Sequence, residues 1–265
     1  MLMTIKILYE DKDLMVLDKP AGIAVHADGK NLKQKTVADF ILAYNDKLKK
    51  VGEPMEVEYK GEIVKIPRPG IVHRLDKETS GVLIVAKNQK TFQILKEQFQ
   101  DHKIQKVYQA FVYGFVSDPK ASLLTGKRGI INVPIGRSPK DIRMWTAGRG
   151  AKEPLRDAIT EYVVLNRFID STKESDEKKQ EHQYSYIELY PKTGRTHQIR
   201  VHMRYINHPI VSDPLYSGIK EKSLGMKRLA LHAKSITFRS PNGELKTVES
   251  HLPTDFKKVI KEYIK

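Results

Sequence analysis

Short apolar runs alternate with polar turns in the N-terminal part of the chain. Residues 5–9 and 14–17 are rich in aliphatic side chains and flank the polar segment 11–13, so the pattern predicts an opening β-hairpin. Lys19-Pro20-Ala21-Gly22 follows, and its proline and glycine are typical of a strand end. Thr36 then precedes apolar residues at helical spacing, which predicts an N-cap and a helix over 37–44.

Residues 81–86 form an apolar run without a single polar side chain. Such a run is typical of a strand that is covered on both faces. Phe92, Leu95 and Phe99 repeat at helical spacing after it and predict a helix. Residues 46–65 mix charges without a clear apolar period, and we interpret them as an insertion whose structure stays open.

The remaining chain carries strand patterns more often than helix patterns. Strands are predicted over 108–116, 158–168, 184–190 and 229–238. One helix is predicted from Arg195 onward, and a closing helix has an apolar face of Phe256, Val259, Ile260 and Tyr263. Residues 118–157 contain several Gly and Pro and are interpreted as loop-rich, and 170–183 as an exposed charged loop. Because strands and helices do not alternate regularly, the pattern favours one α+β domain over a doubly wound parallel sheet.

Charge narrows the choice of partner. Lys and Arg number 47 against 32 Asp and Glu, which leaves a formal net charge of +15. Such a field attracts polyanions, so nucleic acid leads the candidates, with a solvated basic surface as the alternative. The basic side chains of the middle region are Lys120, Lys127, Arg128, Arg137, Lys140, Arg143, Arg149, Lys152 and Arg156.

Composition also restricts the chemistry and the compartment. The chain has no cysteine, which excludes disulfides, thiolate catalysis and zinc sites built on sulfur. No apolar run approaches the ~20 residues that span a bilayer, and residues 1–4 lack the apolar core of a signal peptide. We therefore expect a cytoplasmic protein without a membrane partner, and a monomer as the default.

Two polar segments are candidates for catalysis. Residues 73–81 place reactive side chains directly before the apolar run, where a rigid strand can fix loop geometry and leave the loop accessible. An ordinary charged turn is the alternative. In the segment 193–203, His197, Arg200 and Arg204 fall at i, i+3 and i+7 and share one helix face. A basic amphipathic helix lying on the surface is the alternative there.

Taken together and in order, these segments resemble the RluA family of pseudouridine synthases. The matching segments are 19–22, the catalytic segment 73–81, Lys106-Val107-Tyr108, 194–200 and 228–233. The similarity covers nearly the whole chain, and the catalytic segment is its most specific part. It implies an isomerase, with an α+β catalytic domain over 1–265 whose mixed, largely antiparallel sheet is flanked by helices and loops.

The resemblance also implies roles for three catalytic residues. Asp76 is the nucleophile that attacks either C1′ of the ribose or C6 of the base, and both routes stay open. Arg200 matches the family's active-site arginine, whose planar fork can hold a carboxylate ionised and oriented. Tyr108 can stack on the target base or take part in proton transfer at C5. No metal or cofactor is required.

RNA contacts are implied at further positions. The target uridine must be flipped out of its stack, and Arg74 resembles the family arginine that enters the vacated position, with a phosphate contact as its alternative. Leu231 is expected to line the opposite side of the base pocket. Additional RNA contacts are expected at His73, Arg137, Arg143, Arg195 and His197.

The substrate is less well defined than the chemistry. We expect ribosomal RNA more than transfer RNA, and the RNA species, the uridine and the role of 46–65, which could contribute RNA contacts, stay open. Few residues precede the first strand, so we expect no N-terminal RNA-binding domain of the S4 type.

Two other functions compete with the isomerase. One is a noncatalytic RNA-binding or ribosome-assembly protein, which would not need Asp76, Tyr108 and Arg200 together. The other is a metal-dependent nuclease, which needs a carboxylate cluster for Mg²⁺, and Asp76 has only Glu78 in its own segment.

Overall fold

Two compact units make up the chain in a computed structural model that describes residues 5–27, 32, 34–117, 128–171, 182–218 and 223–264. The first unit comprises Met1–Gln105 and Ala233–His251, and the second comprises Lys106–His232 and Leu252–Lys265. The organisation as one catalytic domain, with no S4 domain before it, stays a prediction.

Fourteen strands and four α-helices are found in the described part of the chain. The strands are β1 (Lys6–Glu10), β2 (Leu14–Lys19), β3 (Met55–Tyr59), β4 (Glu62–Ile66), β5 (Ser80–Ala86), β6 (Gln105–Tyr113), β7 (Gly129–Asn132), β8 (Ile135–Arg137), β9 (Trp145–Ala147), β10 (Lys152–Arg156), β11 (Ile159–Asp170), β12 (His182–Pro191), β13 (Leu231–Arg239) and β14 (Leu245–Glu249). The helices are α1 (Val37–Tyr44), α2 (Gln89–Gln100), α3 (Gln198–Tyr205) and α4 (Thr254–Tyr263), and Asp46–Lys50 forms a 3₁₀ helix. The mixture confirms the predicted α+β class.

The sheet of the first unit is built around β5. Strand β2 pairs antiparallel with both β1 and β5, and β13 pairs antiparallel with β14. Every residue of β5 is buried, which confirms the prediction of a strand covered on both faces. Thr36 caps α1 as predicted, because its hydroxyl accepts from the amide of Asp39 while the Asp39 carboxylate accepts from the Thr36 amide.

The segment 46–65, left open by its sequence, folds into the 3₁₀ helix and the two-stranded hairpin β3–β4. Strands β3 and β4 pair antiparallel from Met55 opposite Ile66 to Tyr59 opposite Glu62. The turn residues Lys60 and Gly61 both have positive φ, which matches a tight hairpin connection.

The second unit contains two sheets. Strands β6, β12, β11 and β7 lie in that order as antiparallel neighbours, and β10, β8 and β9 form a separate three-stranded sheet. The region 118–157, interpreted as loop-rich, contains four short strands, β7 to β10, in its described residues. These strands have only three to five residues each, too few for a repeating apolar pattern to reveal them.

Helices α3 and α4 pack against the core of the second unit. All residues from Gln198 to Met203 are buried, so the alternative of a basic helix lying on the surface is wrong. In α4, Phe256 and Val259 are buried and Tyr263 packs against the same core, as the predicted apolar face requires. None of the helices in the described residues has the length and apolar character needed to cross a bilayer.

Candidate active site

The Asp76 loop, residues 71–79, connects β4 to β5 in the first unit. Its start is tied to the sheet by a bridge between Ile71 and Val85, and its end leads into the fully buried strand β5. Gly81 has φ +113°, and a Cβ there would lie 2.1 Å from the carbonyl oxygen of Ala233. Only glycine fits this close approach, which explains why the loop must enter β5 through a glycine.

His73 is held inside the first unit. Its Nε2 accepts a hydrogen bond from the amide of Ile84 at 3.0 Å, and its ring stacks on Phe99 with centroids 4.6 Å apart. The side chain therefore anchors the loop to β5 and α2. Whether His73 also contacts RNA stays a prediction.

Asp76 lies half-buried between exposed basic neighbours, Arg74 and Lys77. Its backbone carbonyl accepts from the amide of Thr79 at 3.1 Å, which closes a turn of the main chain from Asp76 to Thr79. The carbonyl of Lys77 in turn accepts from the amide of Gly22 at 2.8 Å. The backbone on both sides of Asp76 is thus fixed, while the Arg74 and Lys77 side chains are exposed.

Lys19 is a buried residue that holds the Asp76 loop in place. Its side chain has no exposed surface, and its Nζ donates to the carbonyls of Pro20, Ile23 and Lys77 at 2.9, 2.8 and 3.0 Å. One ammonium therefore joins the Lys-Pro-Ala-Gly turn to the residue after Asp76. Sequence reasoning treated this motif only as a strand end and a family marker, and missed its role in the site.

Arg200, on α3 of the second unit, forms a buried ion pair with Asp213. Its Nε donates to Asp213 Oδ2 at 2.7 Å and its Nη2 donates to Oδ1 at 2.8 Å, in a bidentate geometry. Asp213 is buried and also accepts from the amides of Leu215 and Tyr216. Both partners are therefore oriented before any substrate binds. The predicted partner of Arg200 was Asp76, which belongs to the first unit, and that pairing stays a prediction.

Tyr216 is the common neighbour of the basic face of α3. The Arg200 guanidinium carbon lies 4.9 Å from the ring centroid, His197 Nδ1 is 2.9 Å from the phenol oxygen, and Arg204 Nη1 donates to the Tyr216 carbonyl. The amide of Trp145 also donates to the phenol oxygen at 2.9 Å. This confirms the shared face predicted from the i, i+3, i+7 spacing. Asp213 and Tyr216 were missed, although Asp213-Pro214 is a turn signal.

The turn before α3 is fixed by Gln198. Its Oε1 accepts from the amide of Arg195 at 3.0 Å and from the hydroxyl of Thr193 at 2.7 Å. Its Nε2 donates to the carbonyl of Ile159 at 3.0 Å. His197, at the N-cap, has φ 56° and makes no side-chain cap, so Gln198 supplies the order that a capping side chain usually provides.

Tyr108 and Leu231 contribute to the second unit in different ways. Tyr108 is partly buried on β6 and packs against the hydrophobic core that contains Leu231, which is 3% exposed at the start of β13. Lys106 precedes Tyr108 by two residues and shares its strand face. Burial lowers the pKa of Lys106 to about 8, and its Nζ donates to the carbonyl of Thr193 at 3.1 Å.

The other predicted RNA contacts are distributed over the second unit. Arg137 is exposed and lies 4.7 Å over the ring of Trp145, Arg143 is exposed and bidentate with Asp141, and Arg195 donates to the carbonyl of Asp157. Lys120 and Lys127 lie outside the described residues. The role of these arginines in RNA binding stays a prediction.

The structure thus brings His73, Arg74 and Asp76 together on one loop of the first unit. His197 and Arg200 come together around Tyr216 in the second unit. No group of three or more His, Cys, Asp or Glu suited to a metal ion occurs among the residues described. The carboxylate cluster that the nuclease alternative needs is therefore not found there.

Comparison with known proteins identifies the family. The family model described as RNA pseudouridylate synthase matches residues 13–205. Uncharacterized RNA pseudouridine synthase YlyB of Bacillus subtilis is 35% identical over 259 residues, which cover 97% of this chain and 72% of that protein. Ribosomal large subunit pseudouridine synthase D of Neisseria meningitidis is 36% identical over 265 residues, which cover 96% of this chain and 59% of that protein.

Solved structures agree on the fold. Human RNA Pseudouridylate Synthase Domain Containing 4 matches with a TM-score of 0.65 and 26% identity over 96% of this chain and 91% of that one. Human RNA Pseudouridylate Synthase Domain Containing 1 matches with a TM-score of 0.68 over 94% of this chain and 84% of that one, at 22% identity. Because the family model covers most of the chain and the relatives align along almost all of it, the chain belongs to the RNA pseudouridylate synthase family of isomerases, as its RluA-type motifs predicted.

Proposed function

We propose that the protein converts specific uridines of ribosomal RNA to pseudouridine, with Asp76 as the nucleophile and the target base flipped out of its stack. The observation that carries the proposal is the fixed backbone around Asp76, clamped by Lys19 and by the strand that follows. The name of the Neisseria relative, a ribosomal large subunit synthase, favours ribosomal over transfer RNA. We further propose that it acts in the cytoplasm as a monomer.

The reaction needs no net oxidant, because it exchanges one glycosidic bond for another. On the first route, Asp76 attacks C1′, the N1–C1′ bond breaks, the base turns, and C5 attacks C1′ to release the carboxylate. The C5 proton is then lost and N1 is protonated. On the second route, Asp76 adds to C6 of the base, the same glycosidic bonds are exchanged, and the bond between Asp76 and C6 then breaks to release the carboxylate. Both routes use an ionised carboxylate as the temporary covalent partner.

Arg200 is proposed to keep Asp76 ionised and oriented. A guanidinium has five N–H donors in a planar fork, and Asp213 engages it through Nε and Nη2. Asp213 therefore holds the guanidinium in one orientation, as this role requires. Tyr108 is proposed to contact the flipped base, Leu231 to line the other side of its pocket, and Arg74 to enter the vacated stack.

Asp76→Asn tests the proposal. The amide is not nucleophilic, so pseudouridine formation should fall by on the order of 10⁴-fold or more, while salt-dependent RNA binding changes little. Glu78→Gln is the matched control, since it removes a neighbouring carboxylate and should stay active. Chemical mapping of pseudouridine in total RNA from cells with and without the gene names the site. An active Asp76→Asn enzyme, or a map with no gene-dependent site, would show that the proposal is wrong.

A further inference from the structure

Arg68, just before the Asp76 loop, is half-buried, and one nitrogen of its guanidinium has no hydrogen-bond partner in the described part of the chain. Its Nε is buried and has no hydrogen-bond partner within the described chain. Burial lowers the pKa of Arg68, and the positive charge of Arg74 lowers it further. A guanidinium that loses water without gaining an acceptor is costly, so this arrangement needs an explanation.

The nearby charges do not compensate Arg68. Glu53 attracts it, but the Glu53 carboxylate already accepts from Lys96 Nζ at 2.6 Å. The ion pairs found among the described residues of the first unit do not include Arg68. Arg68 and Arg74 therefore repel each other, and the acidic side chains of the first unit offset little of this repulsion.

The backbone of Arg68 is held by neighbouring residues, so a small backbone movement does not bring its side chain into solvent. The Arg68 carbonyl accepts from the amide of Ile71 at 3.2 Å. The same oxygen would lie 2.9 Å from a Cβ at position 52, where the chain has Gly52 with φ +96°. The close packing of Gly52 against this carbonyl holds Arg68 at the entrance to the loop.

A second buried polar atom without a partner belongs to the same stretch of chain. The hydroxyl of Thr79 is buried and unbonded within the described residues. Arg68 and Thr79 flank the loop that carries Arg74 and Asp76. The Asp76 loop therefore begins and ends beside a buried polar atom that the described residues leave unsatisfied.

We infer that Arg68 binds one phosphate of the RNA backbone next to the uridine presented to Asp76, where the phosphate also offsets the repulsion between Arg68 and Arg74. The inference rests on the proposed function and adds a residue and a ligand group to it. A phosphodiester carries a single negative charge and several acceptor oxygens. It would offset the repulsion between Arg68 and Arg74 and accept hydrogen bonds from the Arg68 guanidinium. Such a contact positions the RNA without reading its sequence.

Arg68→Met tests the inference through the salt dependence of RNA binding. The probe is an unmodified transcript of large-subunit ribosomal RNA, and its affinity is measured by filter binding over a range of KCl concentrations. Loss of one phosphate contact should weaken binding about 10-fold and lower the slope of log affinity against log salt by about one. Arg68→Lys keeps the charge but not the fork, so it should bind several-fold more weakly than wild type with an unchanged slope.

Arg239→Met is the matched control, because it removes an exposed arginine of the first unit whose Nη1 donates to the Gly243 carbonyl. It should keep the wild-type slope. Thermal unfolding separates a ligand-binding role from a structural one: Arg68→Met should be as stable as wild type or more so, because it removes an uncompensated buried charge. A lower melting temperature for Arg68→Met, or a wild-type salt slope, would overturn the inference.

The same preparations distinguish the inference from the proposed function. If wild type forms pseudouridine but Arg68→Met binds RNA with an unchanged slope, only the phosphate site is wrong. If Arg68→Met lowers the slope but wild type modifies no RNA, the proposed isomerisation is wrong and the phosphate site is retained.

Discussion

The polar groups around Arg200 and those around Asp76 are satisfied in different ways. Arg200 is 5% exposed. Its guanidinium donates to the Asp213 carboxylate and lies over the Tyr216 ring. The Asp76 loop has a fixed backbone but exposes Arg74 and Lys77. The charge of Arg200 is paired with a buried protein carboxylate, whereas the Asp76 loop carries exposed cationic side chains.

This difference has a physical consequence for catalysis. A charge that is oriented in advance does not have to reorganise when the reaction starts, and so it stabilises the reacting state at little cost. The Arg200 region has this property in the free protein. The Asp76 loop is held by His73, by the bridge at Ile71 and by the buried ammonium of Lys19, but its Arg74 and Lys77 side chains are exposed. The two regions should therefore respond differently to substitution.

Asp213→Asn should have the largest effect on stability. It removes the carboxylate that faces a buried guanidinium, and breaking such a pair costs about 3 kcal/mol of unfolding free energy or more. Urea unfolding of wild type and variant measures the change. Pseudouridine formation should fall as well, because Arg200 loses the group that orients it.

Asp255→Asn is the control for this prediction. Asp255 is bidentate with Arg228, at 2.7 and 3.0 Å, but the carboxylate is 30% exposed. The same change should cost less than about 1 kcal/mol there, since solvent screens the pair. Equal losses at both positions would mean that burial does not distinguish the Arg200 pair.

Lys19→Met should affect the Asp76 loop with a smaller loss of stability. Three carbonyls lose their shared donor, which should cost about 2 kcal/mol, and Lys77 is released on one side of Asp76. We expect kcat to fall more than RNA affinity, because the change misplaces the nucleophile without removing an RNA contact. Single-turnover kinetics and filter binding separate the two effects.

Lys87→Met is the control for Lys19. Lys87 donates to Glu10 and to the Asp11 carbonyl in the same unit, but it is partly exposed. Its loss should leave kcat unchanged. If Lys87→Met lowered kcat as much as Lys19→Met, the clamp on the loop would not be specific to Lys19.

The apolar and polar pattern of the sequence predicted those helices and strands that depend mainly on residues close together in the chain. The run at β5, the capped helix α1 and the apolar face of α4 each follow from a few neighbouring residues. The order of the motifs also identified Asp76 and Arg200 as candidates. Strands β7 to β10 were missed because three to five residues do not make a period.

The groups that hold the site were harder to predict, because their partners are distant in sequence. Lys19 bonds to Lys77, 58 positions away, and Arg200 bonds to Asp213, 13 positions away. A lysine beside proline is usually read as an exposed turn residue, and nothing in the sequence indicates that Lys19 is buried. Such contacts depend on how the strands stack, which is a property of the folded chain.

Lys106→Met gives the smallest effect and tests whether water is excluded from the Lys106 ammonium, which donates to Thr193 in the turn before α3. Burial lowers the pKa of Lys106 to about 8, below its ordinary value of 10.5. Below pH 8 the folded and unfolded states both hold the proton, and the folded state bears the full cost of burying the charge. Between about 8 and 10.5 the unfolded state binds more protons, so the stability of wild type should rise with pH.

Lys106→Met removes this titration, so the variant should have a higher free energy of unfolding than wild type at pH 7. The difference between the two proteins should become smaller as the pH rises from 8 towards 10. Unfolding in urea at several pH values measures the gap. Lys152→Met, at an exposed position of β10, controls for the loss of one positive charge and should show no such narrowing. If the difference in unfolding free energy between Lys106→Met and wild type did not change with pH, water would reach the Lys106 ammonium. The second unit would then not exclude water there better than the exposed Asp76 loop does.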